Sequence, residues 1–487
     1  MRQIGQFLLA LVVLLGLAIG PRAYRYAQTQ GPIVADITLG GVSPVGDTPE
    51  AVTSALRSAF FSPVAVYYQD TRLVLRPREV GFQMDANAMV EEAIARSQGW
   101  RFWRGFVHRM LDIPLEPEDV PLRYTVDGEL LANWLSQVAA RYDRAPVPAR
   151  PMPLRAGHIP TDTIPYLPAQ PGLRLDAQAS VPDLLKALTS RSHREVHLVV
   201  VEAPPPPPDM EETLGELIRK RVAEFPGIAS VFIRDPERQQ EIGINPEIAF
   251  AGMSTMKIAI LEEVYRKLDN EPDVETTRLL TETIELSGNY TANLLLALIG
   301  DGDSMAGAQR LTASMRELGL VNTFMATPYD WEAMPAYIHT PANSRTDVTT
   351  HPDPHMQTTA KDMGLLMEMV VQCSQGGGAL LAAYPKEITP AECQTMLSLL
   401  KKNPQRGLLV AGLPPGARIA HKHGFIDDSH GDVGVVWGPA GPYVIAVYLY
   451  RPVWLEWHLS SPLMAEISWA AWAYFQFLEQ NATLPQR

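Results

Sequence analysis

The sequence predicts a multi-domain chain: an N-terminal α+β module, then a C-terminal region in which an antiparallel sheet is flanked by helices. Three observations carry this expectation. At 487 residues the chain is too long for one average domain. The unbroken proline run from Pro204 to Pro208 favours an extended, semi-rigid spacer and divides the chain. On both sides of it, short strand-like runs alternate with amphipathic stretches of helical period. The boundaries implied are 1–30 for a targeting segment, 31–202 for the first module, 203–212 for the Pro-rich linker and 213–487 for the second module.

The first of these segments is read as an address and not as fold. Arg2 precedes an apolar run from Phe7 to Ile19, and Pro21, Arg22 and Arg25 follow it. The run suits a signal-peptide core and is short for a membrane span. No small-x-small cleavage site follows, and no lipobox cysteine is present, so an export signal is expected, either cleaved or retained as an anchor. The protein is then extracytoplasmic, secreted or membrane-anchored. Composition agrees with folded domains, 46% hydrophobic and 20% charged. A net charge of -13 argues against nucleic acid or anionic headgroups as main partners. No Cys/His cluster has metal-ligand spacing and no Gly-rich phosphate loop follows a strand, so no metal or cofactor is expected.

In the first module, Val64–Tyr68 and Arg72–Leu75 read as a strand pair around a Gln-Asp-Thr turn, and Val196–Val201 as a further strand. A faint repeat runs through the module. Gly81-Phe82-Gln83-Met84-Asp85 and Gly172-Leu173-Arg174-Leu175-Asp176 each read as a strand ending at an Asp that caps a helix. The order Gly40-Gly41-Val42, Pro77-Arg78-Glu79-Val80-Gly81, Tyr124-Thr125-Val126-Asp127 and Pro171 to Asp176 resembles the peptidoglycan-binding module of VanW-associated exported proteins. The resemblance implies peptidoglycan as a partner; a spacer without ligand is the alternative.

The second module carries the chemistry. Ala229–Ile233 and Ile242–Phe250 read as strands bracketing the turn Asp235–Arg238, after which Gly252-Met253-Ser254 opens an apolar helix. Ser254-Thr255-Met256-Lys257 puts a hydroxyl and an amine one helical turn apart on one face, where a desolvated lysine can take the serine proton. Ser398-Leu399-Leu400-Lys401 has the same spacing but sits mid-helix, without the free N–H groups of a helix start. Downstream lie Ser287-Gly288-Asn289 and, on a strand, Lys422-His423-Gly424. Gly431–Val436 and Tyr443–Tyr450 form a hairpin across Gly438–Gly441, and Leu463–Leu478 is a long aromatic-rich helix. Cys373 ends one helix and Cys393 opens another after Gly376-Gly377-Gly378. In an oxidising compartment the two are expected either to bridge or to stay buried thiols.

Ser-x-x-Lys, Ser-x-Asn and Lys-x-Gly in that order resemble the signature of the penicillin-recognising serine hydrolases, and Ser287–Leu296 and Thr358–Met363 are similar to class A β-lactamase segments. The resemblance, over roughly residues 213–480, implies an α/β-lactamase-like fold with a reduced helical domain, since Ser287 follows Ser254 unusually closely. It implies β-lactams or D-Ala-D-Ala-type stem peptides as substrates, Ser254 as nucleophile, Lys257 as base and Ser287 as proton relay. Asn289 would bind the substrate amide and Lys422 its carboxylate. The N–H groups of Ser254 and Phe425, just after Gly424, would form the oxyanion hole. His423 stands where the family has Thr or Ser; it either donates a hydrogen bond in place of that hydroxyl or merely fills the space. The deacylation glutamate of class A enzymes has no matching pentad; Glu332 is the candidate, and a solvated loop carboxylate is the alternative reading of it.

Overall fold

The computed structural model describes residues 16–17, 19–28, 31–33, 36–44, 48–114, 116–153, 159–160, 162–268 and 270–482. Residues 1–15, which hold most of the expected export signal, lie outside the described residues. Among those described, no helix is long and apolar enough to cross a membrane. The chain forms two compact units, residues 1–147 with 170–205, and residues 148–169 with 206–487. The boundary between the units falls within the proline run, between Pro205 and Pro206, and segment 148–169 groups with the second unit. Segment 148–169 belongs with the second unit because Ala149, Ile159 and Tyr166 are buried in that unit's core. Tyr166 Oη also donates to Ala470 O at 2.8 Å.

The first unit follows its sequence pattern closely. Strands Val64–Tyr68 and Thr71–Leu75 pair antiparallel, and Gln69 turns between them with φ 48°. Both repeat units cap as expected: Asp85 accepts from Ala88 N ahead of helix Ala86–Ser97, and Asp176 from Ala179 N ahead of Ala177–Thr189. One difference is instructive. The run Val196–Val201 is not one strand. Glu195–His197 pairs parallel with 65–67, whereas Val200–Ala203 pairs antiparallel with Gly172–Leu175. The same β-rich stretch serves two sheets, a choice that local propensity cannot encode.

The second unit is built on an antiparallel sheet of β1 (Ile228–Asp235), β2 (Gln240–Ile244), β3 (Arg418–Phe425), β4 (Ser429–Gly438) and β5 (Gly441–Tyr450), in spatial order β2-β1-β5-β4-β3. Side chains alternate across a strand. Phe232, Val444, Ala446 and Tyr448 therefore enter one core, with helices Lys257–Lys267 and Ala360–Ser374. Val231, Ile233, Ile445 and Val447 enter the other, against the C-terminal helix Trp457–Ala482. Burial on both faces explains the near-continuous apolar runs of β1 and β5. The strand expected over Ile242–Phe250 breaks after Ile244. Asn245 is left-handed with φ 52°, and Pro246 lacks the N–H that a ladder needs. Phe250–Ala251 then joins a separate small sheet beside Met356–Thr358. Cys373 and Cys393 are bridged, with Cα atoms 5.9 Å apart.

Candidate active site

Three chain segments meet at one end of the β3 edge. The turn Met253–Met256 is 3₁₀ in form and runs directly into the helix Lys257–Lys267, so Ser254 stands at its start, as expected. Met253 is left-handed at φ 49° and Ser287 at φ 57°. Non-glycine residues in that region cost roughly 1–3 kcal/mol and persist only where neighbours hold them. Tyr329 supplies part of that hold, its Oη donating to Met253 O at 2.9 Å. Asn293 fixes the backbone of Tyr329 from both sides: its Nδ2 donates to Tyr329 O and its Oδ1 accepts from Tyr329 N, each at 2.9 Å.

Lys257 lies at the centre and is fully buried. Its Nζ is 2.9 Å from Ser254 Oγ, 2.6 Å from Ser287 O and 2.9 Å from Asn289 Oδ1. The Tyr329 ring centroid is 4.7 Å away. Burial, and then the neighbouring Lys422 cation, push its pKa down to about 7, opposed by Asp330. Ser287 Oγ bridges outward, 2.9 Å from Ser254 Oγ and 3.0 Å from Lys422 Nζ. Lys422 is also buried, and burial brings it to about 8 while Asp432 opposes the shift. The two hydroxyls and two amines thus form one continuous chain along which a proton can move without a water.

The strand edge lies tight against the nucleophile turn. A Cβ on Gly424 would stand 2.6 Å from Ser254 N and 2.8 Å from Met253 Cβ, so only glycine allows this approach. The approach brings Gly424 against the backbone N–H groups of Ser254 and Thr255. Phe425, next along the strand, is exposed, its ring edge-on to Trp457 at 5.4 Å. His423 is held by Asn403, whose Nδ2 lies 3.2 Å from both His421 O and His423 Nδ1. The amide donates to Nδ1, which leaves the ring hydrogen on Nε2. Burial and Lys422 push the ring down to about 4, so it is a neutral donor near pH 7.

The loop after Met325 leaves Glu332 in solvent and brings another carboxylate to the site. Asp330, not Glu332, reaches the site: Asn289 Nδ2 donates to Asp330 Oδ1 at 3.2 Å, and Asp330 is the carboxylate whose charge acts on Lys257. Glu332 is exposed and, among the described residues, has no hydrogen bond or ion pair. The sequence offered no way to choose between them, because an irregular loop has no period to show which carboxylate faces inward. Tyr329 and Asn293 were missed for the same reason; their roles depend on contacts across more than thirty residues. Ser398 is occupied within its own helix, donating to Gln394 O at 2.8 Å.

A family model described as the beta-lactamase enzyme family matches residues 212–272 and 268–475. No curated protein matches the chain. Among solved structures, PBP-A is 21% identical, covering 56% of this chain and 98% of its own, with a TM-score of 0.42. A PBP-A mutant solved as an acyl-enzyme complex with penicillin G is 22% identical, with 56% and 99% covered and a TM-score of 0.43. A β-lactamase from Sphaerobacter thermophilus is 19% identical, with 54% and 97% covered and a TM-score of 0.40. Because the family match runs through every segment that meets at Ser254 and takes in more than half of the 487 residues, the chain belongs to the beta-lactamase enzyme family.

Proposed function

We propose that this chain is an exported serine hydrolase that acylates Ser254 with β-lactams or with D-Ala-D-Ala-type peptides. The observation that carries the reading is the fully buried Lys257, its Nζ 2.9 Å from Ser254 Oγ and its pKa brought down to about 7. As a free amine it takes the Ser254 proton while Oγ attacks the substrate carbonyl. The N–H groups of Ser254 and Phe425 receive the developing oxyanion, and each such donor contributes on the order of 3 kcal/mol in the transition state. As the C–N bond breaks, Ser287 gives its proton to the leaving nitrogen and regains one from Lys257, which restores the free amine. Lys422 and the His423 Nε2–H hold the substrate carboxylate, and Asn289 its side-chain amide.

Deacylation needs a base for water, and we assign that role to Asp330 in place of Glu332. Its contact with Asn289 and its charge on Lys257 support the assignment. A second reading is favoured by one observation: Asp330 is exposed, so no enclosed wall around it holds a single water for attack. Slow release would then make the protein a D,D-peptidase or a wall-binding protein of impaired turnover. The first unit would bind peptidoglycan or serve as a spacer, with the N-terminal segment directing export or anchoring.

The test incubates the full chain with a fluorescent penicillin and follows the adduct by intact mass. No adduct, or the same labelling in Ser254→Ala, refutes the acyl-enzyme. A transient adduct whose lifetime grows in Asp330→Asn and not in Glu332→Gln supports hydrolysis. A persistent adduct unchanged by either substitution favours the peptidase reading and removes Asp330 as base.

A further inference from the structure

Outside the site, the helix Trp100–Met110 in the first unit has two apolar faces where a buried surface helix needs one. Phe102 and Phe106 form the inner face, packed at a tilt on Tyr26 with ring centroids 5.5 and 5.7 Å apart; Ala23 and Ile19 complete that cluster. The other face is a stripe of Trp100, Trp103, Val107, Met110 and Leu111, all exposed among the described residues. Their spacing keeps them along one side of the helix. Trp100 is 78% exposed and Leu111 63%, which no packing inside the unit explains. Beside the stripe lie Arg104 and His108, while Arg101 pairs with Glu118 and Arg109 acts on Tyr26 on the inner side; no Asp or Glu occurs between Gln98 and Leu111.

We infer that this helix lies in a lipid bilayer surface, with the Trp100–Leu111 stripe among the acyl chains and the arginines at anionic headgroups. Three observations select lipid as the occupant. First, aromatic and aliphatic residues on one face with arginines alongside are the composition of interfacial helices, in which Trp prefers headgroup level. Second, the helix packs on Ile19, Ala23 and Tyr26, immediately after the apolar run Phe7–Ile19. At about 1.5 Å per residue, Ala23 and Tyr26 lie roughly 6–10 Å beyond the end of that run, the depth of the interfacial zone of a bilayer. Third, the charge is local. The chain as a whole carries -13, yet the two segments that form this cluster carry Arg22, Arg25, Arg104 and Arg109, and juxtamembrane cations attract anionic lipid over about one Debye length. The global charge that disfavours anionic lipid as a main partner therefore does not govern this patch. The inference rests on the reading of the N-terminal segment as a retained anchor.

The test uses the full chain in vesicles of phosphatidylcholine with phosphatidylglycerol. The only two cysteines are bridged to each other, so single cysteines at Trp103→Cys, Val107→Cys and, as control, the exposed Ser398→Cys can carry a nitroxide. The expected result is a several-fold higher ratio of oxygen to aqueous-nickel collisions at positions 103 and 107 than at 398, with the difference reduced in pure phosphatidylcholine. Equal, water-like ratios at all three positions in vesicle-bound protein would overturn the helix proposal and leave the anchor standing. Spin–spin broadening between labels at 107 would overturn it in favour of a second copy of the chain. Failure of the protein to float with vesicles overturns the anchor reading, and the proposal with it.

Discussion

The pH dependence of acylation is the sharpest consequence of the site. With Lys257 at about 7, half of the molecules hold a free amine at pH 7. An unperturbed lysine near 10.4 would offer about 0.04% at that pH, so burial raises the supply of base roughly a thousandfold. The sign follows from the direction of the shift. Below about pH 7 the amine is protonated and the acylation rate falls by about tenfold per unit. Above about 8 Lys422 loses the charge that holds the substrate carboxylate, and the rate falls again. The expected profile is a narrow bell with its maximum between the two values, which belong to the interacting pair and not to either residue alone. Lys257→Arg should lose roughly a thousandfold or more, because a guanidinium cannot give up its proton. Lys422→Arg should keep the acid limb and lose the alkaline one. The assay is the rate of fluorescent-penicillin labelling across pH by rapid quench and mass. A rate flat from about pH 5.5 to about pH 9, or Lys257→Arg acylating at a rate near that of the parent, would refute Lys257 as base.

Other consequences are expected on different observables. Gly424→Ala would place a Cβ 2.6 Å from the nucleophile's own backbone nitrogen. Acylation should slow by about 100-fold, and chemical unfolding should show a loss of roughly 1–3 kcal/mol. The double substitution Cys373→Ser and Cys393→Ser opens a loop of sequence separation 20. Urea unfolding should show a loss of about 3 kcal/mol with the labelling rate unchanged. Glu262, fully buried on the helix that carries Lys257, has its carboxyl pushed well above the usual range by burial and then by Glu263. The folded protein therefore keeps a proton that the unfolded chain releases above about 4.3. Stability from this group is complete below that value and declines as pH rises toward the folded pKa. Glu262→Gln should flatten that decline in urea melts between about pH 5 and 8; an unchanged slope would show that the proton is not held there.

Much of the catalytic arrangement was legible because it is local or periodic. Ser254 and Lys257 are one turn apart, and Lys422 and Gly424 are fixed by strand alternation, so their relative geometry follows from residue spacing. The Asp caps of the first unit and the hairpin closed at Gly438–Gly441 were legible for the same reason. The inward carboxylate was not. Asp330 and Glu332 differ by two positions in a loop without period, and only the fixing of Tyr329 by Asn293 turns Asp330 toward Asn289. Nor was the sharing of 195–203 between two sheets, or the return of 148–169 to the second unit, since both depend on which partner surfaces are available.

By itself, then, the sequence singled out the side chains that meet at the candidate site: Ser254, Lys257 at helical spacing from it, Ser287 and the strand residue Lys422. These follow from residue type and short-range geometry. The tertiary structure alone decided what makes them work. Burial of Lys257 and the neighbouring Lys422 bring its pKa down to about 7. Gly424 lets the strand press on the Ser254 turn, and a loop held by Tyr329 places Asp330 beside Asn289. Desolvation and close approach arise only when distant segments meet, so no reading along the chain contains them.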